Sequence, residues 1–405
     1  MSIINRSGWN HKIHSLWLSG EHRQAIEKMA EEIHRYGEVK PKTVILQTCY
    51  YLFLVNDYRS CIKLLGNGLL LYPEDVELLT NLATCYSRNH QYEQAIQCAQ
   101  QALKQNADDY YLWDILTISH YSIGQQDKAR TAGTTSLMLK DKKHGHTPEE
   151  WLLPNQNAES LTNNKKKVIA FSLWGDKERY LHGTLRNLQS TPEIYPGWEV
   201  WVYHDNSIPK HYQYLMKQLG AKLIKQLDNQ SIKQKTCWRF SVASTSSVGY
   251  FMIRDADSVI SEREKKAVDA WLESGKLFHI IRDWWTHTDL ILAGMWGGVA
   301  GILPNIQPMV TQYSARHLET PNIDQWFLRD IIWPLIKPNC LIHDRCFQAQ
   351  HTIPVPGALP EGKFHIGCCE YTLFRKIQKE KLASILLANQ SSGTGFKDAT
   401  RRQES

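Results

Sequence analysis

Four short segments carry a small residue at nearly the same interval. GEHRQAIEKMAEEI, NDYRSCIKLLGNGLLLYPED, HQYEQAIQCAQQALKQNADD and GQQDKARTAGTTSLML align so that Ala25, Cys61, Ala95 and Ala129 coincide, at separations of 36, 34 and 34 residues. A fixed period of that length predicts stacked helical hairpins, because each unit can bury its apolar face only against the next. Ahead of each segment lies an aromatic and aliphatic stretch (LWL, VILQTCYYLFL, LLTNLATCY, YLWDILTISHY) with the i, i+3, i+4 spacing of a half-buried helix. The small residue then marks where the second helix of a hairpin crosses the first, and a larger side chain there forces the two apart. Pro73 follows the second helix of its unit, where a helix stop is expected.

Over residues 8 to 143 this pattern resembles the tetratricopeptide repeat (TPR) family in its period and its small-residue placement. The resemblance implies an α-helical array that offers a groove to a protein partner, mediates self-association, or serves only for packing. We place this TPR-like domain at 1–145. A polar segment without sustained periodicity, 146–166, reads as a linker, and His144 and His146 at its start read as solvated.

A chain of 405 residues suits two domains. The start lacks a basic stretch leading into an apolar run, and no long uncharged apolar stretch occurs downstream, so neither export nor membrane spanning is predicted. The nine cysteines are odd in number and form no C-x-x-C pair, and Cys49, Cys61, Cys85 and Cys98 fall inside apolar helical patterns. That usage fits a reducing, cytoplasmic compartment. Cys368 and Cys369 lack partners at metal-finger spacing and read as half-buried strand residues. The net charge of +6 is dispersed, so no nucleic-acid partner is implied.

From Lys167 the pattern changes to short β-branched or aromatic runs, VIAFSLW, EVWVYH, KLIKQL and GYFMIRD, separated by helical stretches. Such alternation predicts a mainly parallel sheet with helices on both faces and ligands beyond the carboxyl ends of the strands. The strands end in SLWGD, HDN and RDADS. Asp255 and Asp257 form an Asp-x-Asp whose alternation on an extended chain would point both carboxylates to one side. Paired hard oxygens suit Mn²⁺ or Mg²⁺, and a solvated turn is the plain alternative.

The blocks SLWGDKERYLHGTLRN, IYPGWEVWVYHDNSIP, CWRFSVAS, MIRDADSVISEREKKAVDAWLESGKLFHIIRD, ILAGMWGG and DQWFLRDIIWP resemble a group of GT-A-fold bacterial and viral glycosyltransferases, in the same order, over about residues 167 to 370. The fold class implied for the chain is therefore α + α/β: the array, then a GT-A domain over 167–390 and a polar tail, 391–405, expected to be disordered. The resemblance implies that Asp255 and Asp257 hold Mn²⁺ or Mg²⁺ and a diphosphate, with His365 in KFHIG as a further ligand or else a strand histidine. It also implies that Leu173, Trp174 and Gly175 line a nucleotide pocket, with Tyr180 near the base and Asp205 near the ribose. Arg239 and Arg254 are donor-binding candidates, because guanidinium forks match diphosphate oxygens; each could instead pair with a structural carboxylate.

On the acceptor side, IIRDWWTHTDLILAGMWGG combines aromatic plates, charge and glycines in Asp283, Trp284, Trp285, Met295, Trp296 and Gly297; the alternative is a buried connection. Asp324, at a helix start, is either the general base of an inverting reaction or an N-cap. The stretch YTLFRKIQKEKLASILLANQ is basic and amphipathic, and it either rests on the inner face of a membrane as a peripheral contact or packs as a last helix. The functional expectation is a metal-dependent transferase moving a sugar from a nucleotide-sugar donor to a saccharide or glycolipid acceptor in surface polysaccharide biosynthesis. The alternatives are a TPR scaffold with a non-catalytic nucleotide-sugar-binding domain, and a protein glycosyltransferase whose TPR groove selects polypeptides.

Overall fold

The computed structural model describes residues 7–155, 158–316, 322–359 and 362–391, so the tail expected to be disordered lies, from residue 392, outside the described residues. The chain divides into two units, Met1–Lys140 with Cys346–Gln350, and Asp141–Arg345 with the residues from His351 onward.

The first unit is built from α1 (His11–Leu18), α2 (His22–Arg35), α3 (Lys42–Leu54), α4 (Tyr58–Leu71), α5 (Val76–Arg88), α6 (Tyr92–Leu103), α7 (Tyr110–Ser122) and most of α8 (Gln126–His144). Ala25, Cys61, Ala95 and Ala129 lie on α2, α4, α6 and α8 and are all fully buried. A second repeated device closes each hairpin. Gly20, Asn56, His90 and Gly124 all adopt positive φ. The amide of the next residue then bonds back in every case, Glu21 to Leu16, Asp57 to Leu52, Gln91 to Tyr86 and Gln125 to His120, each at 2.9 Å. This is the Schellman closure, which satisfies carbonyls that the helix end leaves unpaired. Inside the array, Lys140 is buried and its Nζ lies 2.8 Å from Asp114 Oδ2. Residues from far along the chain complete the unit: Arg130 Nη1 donates to Cys346 O at 2.6 Å, and a side chain at Gly133 would collide with the Phe347 ring.

The second unit runs α9 (Ala158–Thr162), β1 (Lys166–Leu173), α10 (Glu178–Ile194), β2 (Trp198–His204), α11 (Lys210–Gln218), β3 (Lys222–Lys225), α12 (Ile232–Cys237), β4 (Val248–Arg254), α13 (Glu262–Ser274), β5 (Phe278–Arg282), β6 (Met295–Val299), α14 (Ile306–Arg316), α15 (Ile323–Phe327), α16 (Trp333–Ile336), β7 (Cys340–Asp344), β8 (Thr352–Ile353) and α17 (Glu370–Ser391). The eight strands form one mixed sheet in the order β3-β2-β1-β4-β6-β5-β7-β8. All pairs are parallel except those of β6, which runs antiparallel to both β4 and β5. On one side of the sheet Leu181, Leu185 and Leu188 of α10 and Trp271 of α13 join Ile169, Phe171 and Val202 in a buried cluster. Elsewhere in this core Phe240 stacks on Phe327 and packs edge-on to Trp296.

Part of the segment expected to be a linker is anchored within this unit. Trp151 Nε1 donates to Leu335 O at 2.9 Å, and Thr147 Oγ1 donates to Pro334 O at 2.7 Å. His144 is half-buried rather than solvated, because its Nδ1 lies 2.9 Å from Asp330 Oδ1, whereas His146 is exposed. No disulfide forms among the described residues. No helix among the described residues is long and apolar enough to cross a membrane.

Candidate functional site

The strand order fixes where an open cavity can form. From β1 the chain winds outward through β2 and β3, then returns to place β4 on the other flank of β1. Neighbouring crossovers diverge at that point, leaving a crevice at the carboxyl ends of β1 and β4. A cavity of about 400 Å³ occupies it, lined by Leu173 at the end of β1, Trp174 after it, Arg179 and Tyr180 on α10, Thr236 on α12, Arg239, Asp324, and Asp255 with Asp257 after β4. That volume falls within the range of small-ligand sites.

Asp255 and Asp257 do not sit on extended chain as expected. The strand ends at Arg254, and the next residues turn, with Ser258 N–H donating to Asp255 O at 3.1 Å. Two glycines make room for this turn. A side chain at Gly183 on α10 would run into the Ala256 carbonyl and Asp257 Cα, and one at Gly294, just before β6, would run into the Asp255 carboxylate. Asn187, wholly buried one turn along α10 from Gly183, holds the chain beyond the turn. Its Nδ2 donates to Ser258 O at 2.8 Å, and its Oδ1 accepts from Ile260 N–H at 3.0 Å.

Each aspartate has an arginine. Arg239, carried by a 3₁₀ turn over Trp238–Ser244, is buried; its Nη1 donates to Asp255 Oδ1 at 2.6 Å and Nη2 lies 3.7 Å from Asp324 Oδ2. Its Nε has no hydrogen-bond partner among the described residues. Arg179 pairs with Asp257, Nε to Oδ2 at 2.5 Å. Burial and the charge of Asp255 push the Asp257 carboxyl above its ordinary range, against the pull of Arg179. Burial also raises Asp324, with Asp255 adding to the effect and Arg239 opposing it. Asp324 lies in the first turn of α15 and is not its N-cap, which is Asn322, but its Oδ1 accepts from the Gln325 amide at 2.9 Å, as the capping alternative expects.

Other sequence candidates lie elsewhere. His365 lines a separate cavity of about 320 Å³, where it stacks on Trp284 with ring centroids 4.9 Å apart. Among the described residues no three His, Cys, Asp or Glu side chains group as a metal site, so His365 does not join Asp255 and Asp257. Arg254 is buried and spent on Glu264, Nε to Oε1 at 2.6 Å. Asp205 accepts from Lys235 Nζ at 2.5 Å and from the Ser207 amide at 3.0 Å, and Ser207 Oγ in turn accepts from Gly175 N–H at 2.7 Å. Asp205 and Gly175 thus shape the loop after β1 without lining the cavity.

The acceptor-side block is interior apart from the half-buried Trp284. Met295, Trp296 and Gly297 belong to β6, every residue of which is buried, because both neighbouring strands and both sheet faces cover it. Trp285 is buried, and the interior Asp283 pairs with Arg263 and Arg345 and accepts from Ile366 N–H at 2.8 Å. Sequence reading missed Arg179, Asn187, Gly183 and Gly294. The available signal was a glycine inside a helical pattern and another beside a strand, each of which marks close backbone approach.

Residues 52–117 match the tetratricopeptide repeat family. No curated protein matches the chain. Among solved structures, a MamA fragment from Desulfovibrio magneticus RS-1 is 14% identical with TM-score 0.31, covering 34% of this chain and 77% of that one. The Sgt2 TPR domain from Aspergillus fumigatus is 20% identical with TM-score 0.23, covering 24% and 64%. A mutant O-GlcNAc transferase from Thermobaculum terrenum is 12% identical with TM-score 0.38; 60% of this chain covers 44% of that one. Scores this low carry no argument about chemistry, and the tetratricopeptide match concerns the array alone.

Proposed function

We propose that the sheet domain is a metal-dependent glycosyltransferase that binds a nucleotide-sugar donor in the cavity between β1 and β4. The observation that carries this reading is the convergence of three carboxylates and two guanidinium groups, with Trp174 and Tyr180, in one cavity at the point where the strand order reverses. The donor set suits a divalent ion in part. Asp255 and Asp257 offer hard oxygens, and the three carboxylates lining the cavity outnumber its two guanidinium groups. A bound Mn²⁺ or Mg²⁺ would neutralise charge developing on a departing diphosphate.

The chain's own residues supply the rest. Arg239, with its unpaired Nε, and Arg179 offer forked donors to diphosphate oxygens. Trp174 and Tyr180 give flat surfaces to a base or sugar. Asp324, whose proton affinity burial raises, is in its ionised form a stronger base than an ordinary aspartate and is suited to accept the proton of an acceptor hydroxyl. A saccharide or glycolipid acceptor, in polysaccharide assembly, fits this reading.

A second reading, a nucleotide-sugar binder without turnover, is favoured by one feature: Asp255 and Asp257 already have arginine partners. Titrating the protein with a panel of nucleoside diphosphates, with and without Mn²⁺, tests the first reading. Nucleotide affinity that Mn²⁺ leaves unchanged in the natural chain overturns it. Binding without release of free nucleoside diphosphate from any sugar donor supports the second.

A further inference from the structure

We propose that the outward face of α17, with the adjoining Lys363–Phe364 corner, docks on an anionic lipid surface. The inward face of this helix is accounted for. Leu382 and Gln378 are buried, and Tyr371 and Arg375 both reach Glu178 of α10 at 3.1 Å, with Lys379 3.4 Å from the same carboxylate. Those contacts fix the helix rotation, so what remains faces water.

What remains is apolar with a cationic rim. Leu373, Ile377 and Leu387 are 37%, 46% and 60% exposed, and Phe364, 45% exposed, stacks on Phe374 with centroids 4.0 Å apart. Ile377 and Leu387 lie about 80° apart around the helix on its outward side, with Glu380 between them, and Leu373 precedes a break in the helix at Phe374. Around them α17 carries Arg375, Lys376, Lys379 and Lys381 against Glu370 and Glu380, and Lys363 is exposed beside Phe364. Because Arg375 and Lys379 share the single carboxylate of Glu178, the rim keeps a positive excess.

Exposed apolar side chains on one side of a helix with lysines beside them suit the boundary between lipid headgroups and acyl chains, where aliphatics insert and lysine stems snorkel. The same charge argues against a second copy of this chain, since a two-fold contact would set one positive rim against the other. The start of α17 is tied to the cavity's edge by one backbone bridge: Cys369, the residue before the helix, pairs with Ser258, the residue after Asp257. Docking there would hold the cavity beside the lipid surface. The proposal makes no use of the cavity's chemistry and stands apart from the transferase reading.

The test is sedimentation of the full chain with phosphatidylcholine vesicles, with and without phosphatidylglycerol. The expected result is partitioning onto the anionic vesicles that falls as salt rises. Replacing both Leu373 and Ile377 by Ser should weaken it by at least about tenfold, since each buries apolar surface in the interface. Lys376→Ala should weaken it by about fivefold. Lys376→Glu, at an exposed position outside the packed face, keeps the test informative should the double variant fail to fold. Absence of partitioning, or equal and salt-insensitive partitioning onto neutral vesicles, overturns the proposal. So does self-association of the natural chain that the double Ser variant abolishes, which would assign the face to a second copy.

Discussion

Arg239 Nη1 lies 2.6 Å from Asp255 Oδ1 while its Nη2 lies 3.7 Å from Asp324, so one buried guanidinium spans the carboxylate expected to meet the ion and the one expected to meet the acceptor. Burial works against its charge, yet the two aspartates hold it above the ordinary arginine value. Arg239→Met removes the group that lowers the proton affinity of Asp324. The acid limb of the pH–rate profile should move to higher pH, and nucleotide affinity should fall. An unmoved acid limb would remove Asp324 from the role of base.

Asp324 itself should trade stability for function. Its folded-state pKa is raised, chiefly by burial, so its favourable contribution is complete below the unfolded value and is lost as pH rises through the folded one. At neutral pH the ionised carboxylate therefore weakens the fold. Asp324→Asn should raise the melting temperature near pH 7, by an amount that shrinks toward acid. Turnover should drop by roughly 10²–10⁴-fold. Melting curves across the pH range check the sign; a lower melting temperature at pH 7 contradicts it.

Asn187 is a positioning residue for the Asp-Ala-Asp turn. Asn187→Ala strands the Ile260 amide and the Ser258 carbonyl in the interior, at a cost of about 1–3 kcal/mol. Metal-dependent nucleotide affinity should weaken as well, because the turn loses its anchor to α10. Urea melts and nucleotide titration measure the two effects; a stability loss with unaltered affinity would make Asn187 merely structural.

Within the helical array, the Lys140–Asp114 pair sets a different test. Asp114→Ala leaves the Lys140 charge buried without its carboxylate, which costs about 3–5 kcal/mol. Asp114→Ala with Lys140→Met should recover most of that. Hydrogen exchange in α7 and α8 reports it directly, and an Asp114→Ala chain with natural protection there would refute it.

The array was legible because each repeat states its packing in one residue: Ala25, Cys61, Ala95 and Ala129 are small wherever helices cross. The closing turns at Gly20, Asn56, His90 and Gly124 were not read from the sequence, because a positive φ at asparagine or histidine is not written in composition. In the sheet domain, strand ends showed where polar residues cluster, and Leu173, Trp174, Tyr180, Arg239, Asp255, Asp257 and Asp324 line one cavity. What sequence could not show is whether a charged side chain is already spent. Arg254 meets Glu264 ten residues on, but Asp283 meets Arg345 and Ile366 only through the fold. Trp296 and Gly297 looked like a sugar platform because aromatic and glycine residues serve a buried central strand equally well.

The five residues Cys346–Gln350 that complete the helical unit impose an order on its making. The Arg130–Cys346 hydrogen bond joins positions 216 residues apart, so on a ribosome the last hairpin of the array emerges long before its closing segment exists. At bacterial-to-eukaryotic elongation rates that interval is roughly 10–40 s. Through it the pocket beside Gly133, later filled by the Phe347 ring, stays open to whatever apolar segment of the nascent chain arrives first. The array is thus begun before the sheet domain and finished only with it, and early release of the chain would leave it uncapped.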